Sequence, residues 1–223
     1  VSIRLRLVAA RHWKYDPPGL VGTNVNMASR PGILFVNSMI TSDTLTPELF
    51  REWYEGVHIP DLLVTSGINS GVRYKATNPE QVERPYLAMY PVKNVQWLHS
   101  DEFKSVPLHS DMLPNDSKAI YELADFESRY YEKLDTKGEP GREGPAEFVV
   151  TVEFDSLTED LAKLYELSTP EGMTPVRSRV FKLNFSRQSR PAYLGVVSPD
   201  LASYLTSLVG LLGSQPVTNW SIV

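Results

Sequence analysis

The sequence predicts an α+β protein built from two tandem ferredoxin-like β-α-β-β-α-β repeats, packed sheet to sheet within one chain. Three observations predict this. A strand-then-helix pattern occurs twice, a stretch rich in Gly, Pro and charge separates the two occurrences, and each half carries two arginines at the same separation, Arg73 with Arg84 and Arg179 with Arg190.

Taken in order, Ile33-Leu34-Phe35-Val36-Asn37-Ser38-Met39-Ile40 reads as a mostly buried strand. Asp43 to Pro47 supplies turn and N-cap chemistry for a helix from about Glu48. Strands follow at Arg73-Tyr74-Lys75 and Arg84-Pro85-Tyr86-Leu87, then a helix at about Val95 to Phe103 and a closing strand within Tyr121 to Leu134. The second half repeats the order with a strand at Phe148 to Phe154, a turn and cap at Asp155 to Thr158, and a helix over Glu159 to Leu167. Strands near Arg179 to Lys182 and Arg190 to Leu194, a helix at Leu201 to Leu211 and a closing strand at Val217 to Val223 complete it. Each half should have helices on one face of an antiparallel sheet and an opposite face in need of cover, so the two sheets are expected to cover each other. Phe148, Val150, Val152 and Phe154 share one strand parity and Val149, Thr151 and Glu153 the other, as two unequal environments require.

The expected units are an N-terminal extension at 1–26 outside the core, a first repeat at 27–135, a linker at 136–145 and a mainly structural second repeat at 146–223. Residues 1–26 are set apart because Arg4, Arg6 and Arg11 precede any acidic residue and Pro17-Pro18 follows, a composition that suits a targeting leader or a non-core extension. The folded unit is then expected to start at Met27-Ala28-Ser29.

Composition narrows the function. The chain has 223 residues, 22 basic and 27 acidic, for a net charge of −5. That balance disfavours nucleic acid and anionic membrane surfaces as partners, because both require clustered excess cations. No run approaches the roughly 18 apolar residues of a membrane span, and the arginines interrupt any secretory apolar region, so the expected location is cytoplasmic. With no Cys, thiolate ligands, disulfides and cysteine nucleophiles are excluded and any catalysis uses oxygen and nitrogen groups.

The most informative segment is Phe50-Arg51-Glu52-Trp53-Tyr54-Glu55-Gly56-Val57-His58-Ile59-Pro60-Asp61-Leu62. Leu49, Phe50, Trp53 and Val57 fall at helical spacing and form a core-facing stripe. Tyr54 and His58 are an i, i+4 pair with Asp61 three residues on, so the three can project from one side of the helix end. Pro60 is expected to stop the helix and leave His58 near its terminus. An imidazole there can transfer protons near neutral pH, with Asp61 orienting it, or can simply cap the last carbonyls. The second half, with Leu164-Tyr165-Glu166-Leu167-Ser168-Thr169-Pro170, lacks both Trp and His. A motif needed only to build the fold would occur in both copies, so one pocket in the first half is expected.

The string Trp53-Tyr54-x-x-x-His58-Ile59-Pro60-Asp61-Leu62, following the Ile33 to Ile40 strand, resembles the helix signature of EthD-domain proteins of the dimeric α/β-barrel superfamily. The resemblance covers Met27 to Leu134 directly and the rest only through the duplication. It implies a barrel-type unit with a pocket between sheet and helices, and His58 as the residue carried over. Some relatives pair a helix histidine with a tyrosine, which makes Tyr74 or Tyr86 candidate partners. The superfamily's chemistries include isomerases, cofactor-free monooxygenases, polyketide cyclases and haem proteins.

Other motifs carry little. His99 and His109 lack the spacing of a zinc pair on one helix. Gly138-x-x-Gly141-x-x-Gly144 is not a dinucleotide fingerprint, and no phosphate loop or nucleophile elbow occurs.

The reading reached from the sequence is a cofactor-independent enzyme, a lyase, isomerase or cyclase of secondary metabolism, acting on a small aromatic or polyketide-like metabolite. His58, Asp61, Tyr54 and Tyr74 are the expected catalytic groups, and Trp53, Tyr86 and His99 the expected substrate-binding groups. No metal and no cofactor is expected. The alternatives are a non-catalytic small-ligand binding protein and a haem-dependent oxidoreductase with His58 or His99 as axial ligand. The barrel closes within a monomer or is completed in a homodimer.

Overall fold

The computed structural model describes residues 4–9, 11–14, 29–76, 79–137, 146, 148–154 and 177–198. The strands are β1 (Arg4–Ala9), β2 (Arg11–Lys14), β3 (Gly32–Ile40), β4 (Ser70–Lys75), β5 (Tyr86–Val92), β6 (Ala124–Lys137), β7 (Phe148–Phe154), β8 (Arg177–Ser186) and β9 (Tyr193–Ser198). The helices are α1 (Pro47–Trp53), α2 (Ile59–Leu63) and α3 (Asp101–Lys104), with a π-helical turn over Tyr54–His58 between the first two. The described strands form one sheet in the order β1-β7-β9-β8-β6-β3-β5-β4-β2, with antiparallel pairing throughout.

The first half has the β-α-β-β-α-β order, and its strands lie as β6-β3-β5-β4, the ferredoxin-like arrangement. Thr46 starts α1 as an N-cap, its hydroxyl accepting from the Leu49 N–H at 3.2 Å, with Pro47 in the first turn where its missing N–H costs nothing. The helix expected at Val95 to Phe103 is a 3-10 turn at Val95–His99 followed by α3, capped by Asn94 and Ser100 in succession. Two N-caps six residues apart break one predicted helix into two short ones.

The second half is described through β7, β8 and β9, which lie as β7-β9-β8, the relative order of β3-β5-β4. The expected helices at Glu159 to Leu167 and Leu201 to Leu211, and the strand at Val217 to Val223, lie outside the described residues. So does most of the expected linker, although β6 runs two residues into it, to Lys137. The extension expected to lie outside the core contributes β1, paired with β7, and β2, paired with β4. Its alternation of Arg4 and Arg6 with Leu5 and Leu7 is a strand pattern.

The expected pair of separate sheets is instead one hydrogen-bonded sheet. β3 covers one edge of β6, from Ala124 to Glu132, and β8 takes the other, from Arg129 to Lys137. A 14-residue strand with an open edge would present unpaired N–H and C=O groups, and β8 satisfies them. Register shifts at Tyr130/Tyr131 and Lys133/Asp135 bend the strand there.

Alternate residues of each strand enter different cores. Leu34 and Val36 of β3, with Ala88, Tyr90 and Val92 of β5, pack under the helices against Phe50, Trp53, Tyr54, Ile59 and Leu62. Ile33, Phe35, Val72, Tyr74, Leu87, Met89 and Tyr131 face the other way and pack with Val149, Phe181, Leu194 and Val196. The second half therefore covers the helix-free face of the first within one chain. At the start of β3 a glycine is required, since a Cβ on Gly32 would lie 2.0 Å from the Tyr131 carbonyl oxygen.

Candidate functional site

The site forms where the helix widens. At the π turn the Ile59 N–H bonds to the Tyr54 carbonyl, an i to i−5 bond that places residues five apart over one another. Trp53 and His58 therefore stack, with ring centroids 5.0 Å apart and planes 11° from parallel. Tyr54 meets His58 edge-on at 5.2 Å and Trp53 at 5.4 Å. Pro60 does not end the helix, contrary to the expectation. The widened turn changes the carbonyl partners just before it, and α2 continues to Leu63. His58 thus lies inside a continuous helical run, which removes the reading in which it caps helix-end carbonyls.

Below the helix, the parity that puts Tyr86, Ala88 and Tyr90 of β5 on this face also brings Arg73 of β4 here. The Arg73 guanidinium lies 4.3 Å from the Tyr54 ring centroid, 5.4 Å from that of Phe50 and 5.9 Å from that of Tyr86. Phe50 and Phe126 complete the wall, at 5.5 Å and 6.4 Å from Tyr54. Gly71, on β4, leaves room for the Tyr90 ring; an added Cβ would lie 2.8 Å from it.

Burial sets the charge states. His58 is lowered to about 4, because desolvation outweighs the hydrogen bond to the Pro107 carbonyl, with the Arg73 charge lowering it further. The imidazole is neutral at physiological pH. Tyr54 and Tyr90 are both raised by burial, although the Arg73 charge opposes the rise. Trp53 Nε1 and His58 Nδ1 are buried without a hydrogen-bond partner among the described protein groups, and the Tyr90 hydroxyl has only the Tyr54 hydroxyl beside it. Each such group costs about 1–3 kcal/mol when unpaired, which makes this aromatic cluster the candidate site.

The predicted residues divide. His58, Tyr54, Trp53 and Tyr86 come together. Asp61 is half-buried and makes no hydrogen bond or ion pair with His58 among the described residues; the π turn alters the angular offset that its spacing implied. Tyr74 faces the opposite core, where its hydroxyl donates to the Ala146 carbonyl at 3.4 Å, and burial raises it. The sheet separates it from His58. His99 is exposed and lies against Tyr130 and Phe185, rings that His58 does not touch. Sequence reasoning missed Arg73 and Tyr90. Their signal was strand parity: Arg73 alternates with Tyr74, and Tyr90 shares parity with Tyr86. Among the described residues, no three His, Asp or Glu side chains converge as a metal site.

No protein-family model matches the chain. The chain is 36% identical over 136 residues to Core atranone cluster (CAC) protein 1 of Stachybotrys chlorohalonatus, a match covering 57% of this chain and 55% of that protein. It therefore spans about half the length of that curated relative. Among solved structures it matches a protein named "Putative monooxygenase" from Fusobacterium nucleatum subsp. nucleatum, at 14% identity and a TM-score of 0.47 over 82% of each chain. That likeness is too slight to bear on function. Among the described residues no helix is long and apolar enough to cross a membrane.

Proposed function

We propose that the chain is a cofactor-independent acid/base enzyme of secondary-metabolite biosynthesis, acting on a small aromatic or polyketide-like compound between the π turn and the sheet. The observation that carries this reading is the pair of buried, unpartnered polar atoms of Trp53 and His58, set among aromatic rings with the Tyr90 hydroxyl on the same face. The similarity to a protein named for the core atranone cluster supports the metabolic setting.

A neutral imidazole that donates from one nitrogen presents a lone pair at the other. With its pKa near 4, His58 is a weak base, suited to a carbon acid flanked by two carbonyls, the kind of C–H that polyketide chains carry. The lone pair takes that proton, and the negative charge that develops on the substrate oxygen is met by the Tyr90 hydroxyl and the Trp53 N–H in a dry site. Returning the proton to another carbon gives isomerisation. Attack of the enolate on a second carbonyl, whose alkoxide takes the proton back from His58, gives cyclisation, and loss of a neighbouring hydroxyl as water, carrying that proton, gives elimination. EthD-like character fits the motif around His58, and the core shared by the two halves fits a barrel closed within one chain.

The test is an absorption spectrum of the purified protein and mass spectrometry of any compound that co-purifies, for wild type and His58→Ala. A colourless protein that turns over its released aromatic compound, with turnover lost in the variant, is expected. A Soret band lost in His58→Ala would overturn the cofactor-free reading, and binding with no turnover would leave a carrier.

A further inference from the structure

Among the described residues, the enclosed arginines other than Arg73 hold close oxygen partners, although Arg129 Nε has no hydrogen-bond partner. Arg84 reaches Asp125 Oδ2 through Nε at 2.9 Å and through Nη2 at 2.5 Å. Arg190 pairs with both oxygens of Glu127, and Arg129 bonds Glu153 and Asn37. Arg73 is 9% exposed, as enclosed as Arg84 at 8%. Its one hydrogen-bonding contact among the described residues is a 3.5 Å approach of Nη1 to Glu55 Oε1, at the outer limit of such a bond. A guanidinium has five N–H donors in a planar fork. Here the fork is held against the Tyr54 face, and among the described residues Glu55 is the one group it approaches within hydrogen-bonding distance.

We propose that Arg73 anchors a carboxylate on the substrate, so that the site takes an aromatic or polyketide-type acid in preference to the neutral compound. This inference rests on the function proposed above and adds the class of substrate. A planar two-oxygen anion matches the fork edge-on. Glu55, on the π turn, holds the guanidinium in the absence of ligand and gives way to the better-placed carboxylate. Arg73 is thus a specificity-determining residue, and His58 acts on a carbon of the substrate so fixed.

The probes are 2-naphthoate and 2-naphthamide, titrated into the full chain by calorimetry, with the His58 ring resonance reporting whether each compound occupies this site. Wild type is expected to bind the acid about tenfold or more tightly than the amide, the scale of one charge-assisted hydrogen bond. Arg73→Gln should abolish that preference and keep amide binding, Arg73→Lys should keep only part of it, and Glu55→Gln should tighten acid binding. Equal binding of acid and amide by wild type, or a preference that survives in Arg73→Gln, would overturn the assignment. If the amide still moves the His58 resonance without any acid preference, the pocket stands and the role of Arg73 falls. If neither compound moves it, both fall. The wild-type comparison needs no variant to fold.

Discussion

The sharpest consequence of the site's burial is a pH dependence of stability carried by His58. In the unfolded chain its pKa is the ordinary 6.5, and in the native state it is about 4. Between those values the unfolded state holds a proton that the native state excludes, so native stability rises with pH across pH 4 to 6.5 and is flat on either side for this group. At 1.36 kcal/mol per unit, the difference of about 2.5 units corresponds to about 3 kcal/mol lost on acidification from neutrality to pH 4. The loss is added to whatever the carboxylates contribute. The assay is urea denaturation at half-unit steps from pH 4 to 7.5 on wild type and His58→Gln, which keeps a donor for Pro107 but does not titrate. The wild-type curve should be steeper by about one proton's worth of slope, and the two should run parallel above pH 6.5. Equal slopes, or a His58 ring resonance that titrates near 6.5 in the native protein, would refute the argument that desolvation governs this site.

Further substitutions test other parts of the structure. Gly56→Ala on the π turn should stabilise the protein by up to about 1 kcal/mol in the same assay, since an added Cβ there meets no atom within 4 Å and glycine carries an entropic penalty in helices. Gly71→Ala should cost about 1–3 kcal/mol and weaken ligand binding, because its Cβ presses the Tyr90 ring at 2.8 Å out of the site. Arg129→Met should cost about 3–5 kcal/mol in thermal or urea unfolding, since it strands the Glu153 carboxylate between the halves. Glu127, also beside Arg129, is disfavoured as an anion by burial, yet the hydrogen bond from Arg190 and the charges of Arg129, Arg190 and Arg84 hold it below the usual carboxylate range. Arg190→Gln should therefore destabilise the protein at neutral pH by an amount that shrinks as the pH falls through the depressed Glu127 pKa, read by urea unfolding across acid pH.

What was legible in the sequence is what short-range physics decides. The β3 strand, the Thr46-Pro47 helix start, the stripe of Phe50 and Trp53, the β7 strand and the β-α-β-β-α-β order of the first half follow from periodicity and capping, which act over a few residues. His58 was legible as a candidate because the motif occurs in only one half. The tertiary structure decided the rest. Strand alternation says that Arg73 and Tyr74 face opposite ways but not which one meets the helices; the cover of β7 to β9 over the other face sent Tyr74 away and left Arg73 under Tyr54. Pro60 reads locally as a helix end, yet the π turn carries the helix past it and sets His58 on Trp53 rather than beside Asp61. The ordinary pKa of an imidazole belongs to the residue, but its neutrality here comes from the protein that encloses it, because desolvation depends on every atom packed around the ring and on none of its sequence neighbours alone.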